Sequence, residues 1–227
     1  MKQTRHLLIA LALGTMLTSC GASVSTATVT GPAAYVDPYI GTGGHGHVFV
    51  GASVPFGAIQ AGPQNIHKGW DWCSGYHHSD SIVIGFAHTH LSGTGCTDMG
   101  DVQIMPYTGE LRSKRGRQED IGGSCSSYYS HDNESVSPGY YSLKMDNGVR
   151  IEMTASTRTA LHRITYPEAE GRRLLINLEE GNGDGAYDTY LRQTDAHTVE
   201  GYRFSKGWGP HKVFFALTTD KPIRSLA

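Results

Sequence analysis

Short runs in which apolar and polar residues take turns recur along the chain, separated by clusters of glycine, asparagine, aspartate and proline. In Arg150-Ile151-Glu152-Met153-Thr154-Ala155, and again in Tyr140-Tyr141-Ser142-Leu143-Lys144-Met145, the alternation lets one face pack while the other meets water or a neighbour. Asp146-Asn147-Gly148 between the two runs reads as a hairpin turn, because Asn and Gly accept positive φ. Strands are expected over residues 58–61, 81–87, 101–107, 140–145, 150–157, 159–165, 172–178, 198–204 and 212–218. No long stretch repeats at the helical period, so helix should be minor and the fold class all-β, a sandwich or barrel.

The first residues follow another logic. Lys2 and Arg5 precede an apolar run over residues 7–17 that is too short to span a bilayer, the pattern of an export signal. The run ends in Leu17-Thr18-Ser19-Cys20, which resembles a bacterial lipobox, so Cys20 is the expected lipidation site and the chain's link to a membrane. Gly21 after it gives no inner-membrane retention signal of the aspartate kind, and the outer membrane of the cell envelope is the expected location. Residues 22–32 carry neither charge nor large apolar side chains and cannot offset the entropy of ordering. The expected organisation is therefore a signal peptide over 1–19, lipid attachment and tether over 20–34, and one folded unit over 35–227, which is long enough to bury a core without staples.

Charge narrows the choice of partners. The formal net charge is −2 and the basic residues are scattered apart from Arg112 to Arg117, so no broad surface is prepared for phosphates and no nucleic-acid partner is expected. Apart from Cys20, three cysteines remain, an odd number for an oxidising compartment. At most one internal disulfide is then possible, and Cys96 with Cys125 is the expected pair.

Residues 36–100 hold seven of the twelve histidines and little alternation, which suits loops draped over a sheet, where binding residues tend to sit. They contain Tyr35-Val36-Asp37-Pro38-Tyr39-Ile40-Gly41-Thr42-Gly43-Gly44-His45-Gly46-His47, then Gly69-Trp70-Asp71-Trp72-Cys73-Ser74-Gly75-Tyr76-His77. Gly85-Phe86-Ala87-His88-Thr89-His90-Leu91-Ser92-Gly93-Thr94-Gly95 and Asp98-Met99-Gly100-Asp101 follow. With Ser137-Pro138-Gly139-Tyr140-Tyr141 and Glu200-Gly201-Tyr202-Arg203-Phe204-Ser205-Lys206-Gly207-Trp208, these blocks resemble, in order and spacing, the N-terminal domain of glycoside hydrolase family 92.

The resemblance implies a β-sandwich of the supersandwich kind, packed on a C-terminal (α/α)6 barrel that is not in this chain. It implies hydrolysis of α-mannosides, α-1,2 linkages among them, with inversion and with a bound Ca2+ that can hold two sugar hydroxyls. Inversion needs one carboxylic acid and one carboxylate base on opposite faces of the sugar. The resemblance assigns both to the barrel, so no catalytic residue is expected here and the calcium ligands are not assigned. The expected contribution is sugar binding: Trp70 or Trp72 for the C–H face, and Asp71, His45, His47, His90 and Cys73 around the hydroxyls of mannose-containing glycans. An exposed docking face for the barrel should accompany it, and the end of the chain at Ala227, without a closing element, fits a truncated domain.

Plainer readings stand beside these. Either tryptophan can be core. The His88/His90 and His45/His47 spacings can chelate zinc, but no further ligand stands at a recognisable spacing nearby. Asp98 and Asp101 read as a solvated turn, and so does Glu179-Glu180-Gly181-Asn182-Gly183-Asp184-Gly185, which lacks EF-hand spacing. Ser92 does not match a nucleophile elbow. A stand-alone carbohydrate-binding module is the alternative to an enzyme part.

Overall fold

The computed structural model describes residues 30–114, 121 and 123–227. The signal peptide, Cys20, most of the tether and part of the basic run lie outside the described residues.

Among the described residues fourteen strands build the fold: β1 (Ala52–Ser53), β2 (Gln60–Gln64), β3 (Ile82–Val83), β4 (Gly85–Ala87), β5 (Gln103–Thr108), β6 (Ser127–Tyr128), β7 (Glu134–Ser137), β8 (Tyr140–Lys144), β9 (Arg150–Ala155), β10 (Ala160–Thr165), β11 (Arg172–Asn177), β12 (Ala186–Gln193), β13 (Thr198–Lys206) and β14 (Pro210–Thr218). They form a five-stranded sheet in the order β1-β2-β4-β5-β11, a four-stranded sheet β10-β9-β8-β7, a three-stranded sheet β12-β13-β14 and the pair β3-β6. Helix among the described residues is limited to short 3-10 turns such as Trp70–Trp72. The fold is all-β.

The five- and four-stranded sheets face each other, and the main core lies between them. Ala52, Ala61, Phe86 and Ile104 come from one side, Tyr141, Leu143, Ile151 and Met153 from the other, all in one buried cluster. The alternation in the sequence put Leu143, Ile151 and Met153 on one face, and those residues now form the packed face of β8 and β9. The polar face is also covered: Glu152 is buried and accepts a hydrogen bond from the Tyr140 hydroxyl at 2.8 Å. The β8–β9 hairpin closes as expected, with Gly148 at φ 84° and the Asn147 side chain accepting from the Val149 N–H at 3.0 Å.

One expected strand divides. Over residues 81–87, β3 pairs with β6 while β4 pairs with β2 and β5. Gly85 sits at φ 158°, and a Cβ there would meet the buried Gln103 side chain at 2.5 Å, so glycine is required where the chain passes from one sheet to the other.

The expected Cys96–Cys125 disulfide is corrected: all three cysteines are free. Cys125 belongs to the main core, its thiol donating to the Arg112 carbonyl at 3.4 Å, whereas Cys96 lines a surface cleft with Cys73.

Candidate functional site

The loops before β4 converge on Trp70. Gly69, at φ 135°, starts the 3-10 turn that carries Trp70, Asp71 and Trp72. The Trp70 indole N–H donates to the Gly95 carbonyl at 2.9 Å, which fixes the ring against the Gly93–Gly95 segment while leaving Trp70 58% exposed. Asp71 reaches the other way, towards the Gly41–Gly46 loop. Its Oδ1 lies 2.6 Å from His45 Nδ1 and 3.5 Å from His47 Nε2, and the hydrogen bond from His45 holds its carboxyl below the usual carboxylate range. His47 packs edge-on against the Trp70 ring at 4.2 Å. It does so from φ 54°, a left-handed conformation uncommon outside glycine and worth a functional explanation. Trp70, Asp71, His45 and His47, separated in the sequence, are therefore one contiguous group.

Trp72 is turned elsewhere. Its indole N–H donates to Asp80 at 2.9 Å, its ring stacks on His77 and Lys68 lies over it, so it braces the loop.

His90 and Cys73, also expected at the sugar, are buried. His90 was expected at sugar hydroxyls but is buried, stacked on Phe49 and bonded through Nδ1 to the Gln60 carbonyl at 2.8 Å. Burial pushes its pKa down to about 4. Cys73 is wholly buried beneath the cleft, its thiol donating to the Thr94 carbonyl at 2.9 Å. Burial, and then the neighbouring Cys96, raise its pKa, the opposite of what a nucleophilic thiolate needs. Both support the loops from below.

A cleft of about 520 Å3 opens beside Trp70. Cys96 and Thr97 line it together with Trp70, and the Lys206-Gly207-Trp208 corner between β13 and β14 lines it as well. Trp208, 85% exposed, is a cleft residue that sequence reasoning quoted within a motif and did not single out. Among the described residues that line this cleft there is no aspartate or glutamate.

The far wall is held by a charge network that the sequence hid. Arg203 on β13 is fully buried, donates to Asp101 at 2.5 Å and to both oxygens of Asp184 at 3.1 Å, and reaches the Leu178 carbonyl at 3.0 Å. His211 Nε2 lies 3.1 Å from Asp101 and 2.8 Å from the Ser205 hydroxyl. Burial lowers the His211 pKa, but the Gly209 carbonyl and Asp101 outweigh it and the net shift is upward. Asp98 takes the backbone N–H groups of Trp208 and Gly209 at 2.9 and 3.3 Å, clamping the corner that carries Trp208. Gly207 is needed there, because a Cβ would collide with the Asp98 carboxylate. The solvated-turn readings are thus corrected: Asp98 and Asp101 are buried, and Asp184 has a side chain with no exposure. The partners are Arg203, 102 residues from Asp101 and 19 from Asp184, and the Trp208 and Gly209 N–H groups, more than 100 residues from Asp98, for which the short-range pattern carries no signal.

This network also answers whether calcium fits here. Asp98, Asp184 and His211 bring ligand atoms within 4.8 Å of one another. Both oxygens of Asp184 already bind a guanidinium and Asp98 is committed to main-chain donors, so the charge and lone pairs a calcium cage needs are spent. These residues do not suit it.

Comparison with known proteins agrees with the fold. Residues 35–227 match the model of the glycosyl hydrolase family 92 N-terminal domain. An uncharacterized secreted glycosidase of Arthroderma benhamiae is 32% identical over 158 residues, covering 66% of this chain and 18% of that protein. A family GH92 α-mannosidase from Bacteroides thetaiotaomicron, solved in complex with mannoimidazole, superimposes with a TM-score of 0.81 at 38% identity over 85% of this chain and 26% of its own. A family GH92 inverting mannosidase from the same bacterium gives a TM-score of 0.61 at 25% identity over 76% of this chain and 24% of its own. The chain spans about a quarter or less of the length of these relatives. It belongs to glycosyl hydrolase family 92, through that family's N-terminal domain.

Proposed function

We propose that this chain is the sugar-binding and docking part of an exported α-mannosidase that cleaves α-1,2-linked mannosides of glycans with inversion, and that it is inactive alone. One observation carries the reading: Trp70 and Trp208 line one cleft, and Asp71, His45 and His47 are grouped beside Trp70. An aromatic ring can take the C–H face of a mannose unit, and Asp71, His45 and His47 beside Trp70 suit its hydroxyls. Inversion needs a free acid and a free base, and the carboxylates nearest the cleft are engaged, Asp71 by His45 and Asp98 by the Trp208 and Gly209 N–H groups. The acid, the base and the Ca2+ then belong to the (α/α)6 barrel of the complete protein, where the cation would orient substrate hydroxyls.

The outer face of β12-β13-β14 suits the docking role. Tyr202 and Phe204 stack at 4.4 Å, and Phe214, 70% exposed, meets both edge-on, an apolar sheet surface of the kind that another element covers. Lipidation at Cys20 and tethering to the outer membrane complete the proposal.

The test is tryptophan fluorescence of the purified chain titrated with α-1,2-mannobiose. Weak saturable binding that Trp70→Ala removes, with the thermal transition unchanged, is expected. Binding that Trp70→Ala leaves intact would move the sugar site elsewhere.

A further inference from the structure

A second polar cluster lies away from the Trp70 cleft, around the start of β7. Glu134 has a fully buried side chain and accepts four hydrogen bonds. Tyr141 donates to Oε1 at 2.7 Å, while Tyr76 at 3.1 Å, Tyr39 at 3.4 Å and His131 Nδ1 at 2.7 Å converge on Oε2. With Nδ1 donating to the carboxylate, the neutral tautomer of His131 has its lone pair on Nε2, and that atom is buried with no hydrogen-bond partner. His78 stands beside it, the ring centroids 4.2 Å apart. The Tyr76 hydroxyl proton goes to Glu134, so its oxygen is left to accept from His78 Nδ1 at 3.4 Å, and the His78 lone pair too is on Nε2.

Two imidazoles with ring centroids 4.2 Å apart, one oriented by a buried carboxylate, are the parts of a carboxylate–histidine–metal arrangement. Imidazole donors select zinc and its neighbours over calcium and magnesium, which want oxygen. His78 is on the solvent side, so an ion can enter and water can complete its coordination.

We propose that His78 and His131 bind a divalent transition-metal ion of the zinc class, with Glu134 as the positioning residue behind His131. The ion would tie the segment before β3 to the turn that leads into β7, independently of the sugar site.

The test is titration of the purified full chain with Zn2+, read by calorimetry and thermal shift, and with Co2+, read by its visible absorption. Expected are one equivalent bound at this site, a raised melting temperature, and no such shift with Ca2+. His78→Ala, at an exposed position that does not threaten folding, and His131→Ala should each abolish that equivalent. Glu134→Gln should weaken it by about 10- to 100-fold. Absence of zinc binding, or zinc binding that survives His78→Ala, would overturn the proposal.

Discussion

At the scale of single residues, Arg203 does most to hold the cleft. It is a buried cation shared by Asp101 and Asp184. Removing it leaves two carboxylates inside the protein without a partner, and breaking a buried pair costs about 3–5 kcal/mol. Arg203→Ala should therefore lower stability by that amount in urea unfolding, and a loss below about 1 kcal/mol would show that water reaches the site. Arg203→Lys should recover only part of it, since a point charge cannot serve two carboxylates and a carbonyl with fork geometry. The sequence could not announce this residue: arginine at an alternating position of a strand reads as the wet face. Trp70, Asp71, His45 and His47 stood out as candidates, because glycine-rich loops with clustered aromatic and imidazole groups are unusual in a packed core, and the structure brings them together. His90 and Cys73 belong to the same motifs, and only the three-dimensional path shows them turned inward.

Buried histidines also set an acid limit. Burial pushes the pKa of His90 down to about 4 and that of His162 to about 3, the latter helped by His88, whose Nε2 lies 2.9 Å from its own. Both groups take up protons in the unfolded chain near pH 6.5 and resist them in the folded one, so stability rises with pH between about 4 and 6.5 and is level above. Going from pH 7.5 to pH 5 should cost about 2 kcal/mol for each imidazole. His211, with a raised value, works in the opposite sense, but its contribution is complete below pH 6.5 and fades only at higher pH, so it does not cancel the acid limb. Urea melts across this range check the sign; stability independent of pH between 5 and 7 would show both imidazoles to be hydrated.

At the scale of elements, the strands with a core-facing alternation were legible and those without it were not. The β8–β9 hairpin follows from its pattern and turn. By contrast β12, mostly exposed along its length, is held by pairing with β13 and carries no buried stripe to reveal it, and β1 and β6 are only two residues long. The division at Gly85 is a tertiary decision written in one residue. Gly85→Ala places a methyl group against Gln103 and forces a conformation unsuited to L side chains, so a loss of about 1–3 kcal/mol is expected from thermal melts. If the substitution is silent, the junction between β3 and β4 is softer than its geometry indicates.

At the scale of the molecule, a closed core lies between the two larger sheets while the third sheet presents aromatic side chains to solvent. Such a face suits a partner domain, and the cleft at the Trp208 corner suits a site finished by one. Both properties follow if catalysis is divided, with this chain contributing loops that hold a sugar and a partner domain contributing the chemistry.

The division is tested most directly by mannose release from α-1,2-linked mannobiose with the purified chain, with calcium and with a chelator. No release in either condition is the predicted result, and it should hold for protein that still melts cooperatively. Calcium-dependent release would place the acid and base among this chain's own carboxylates and contradict the account.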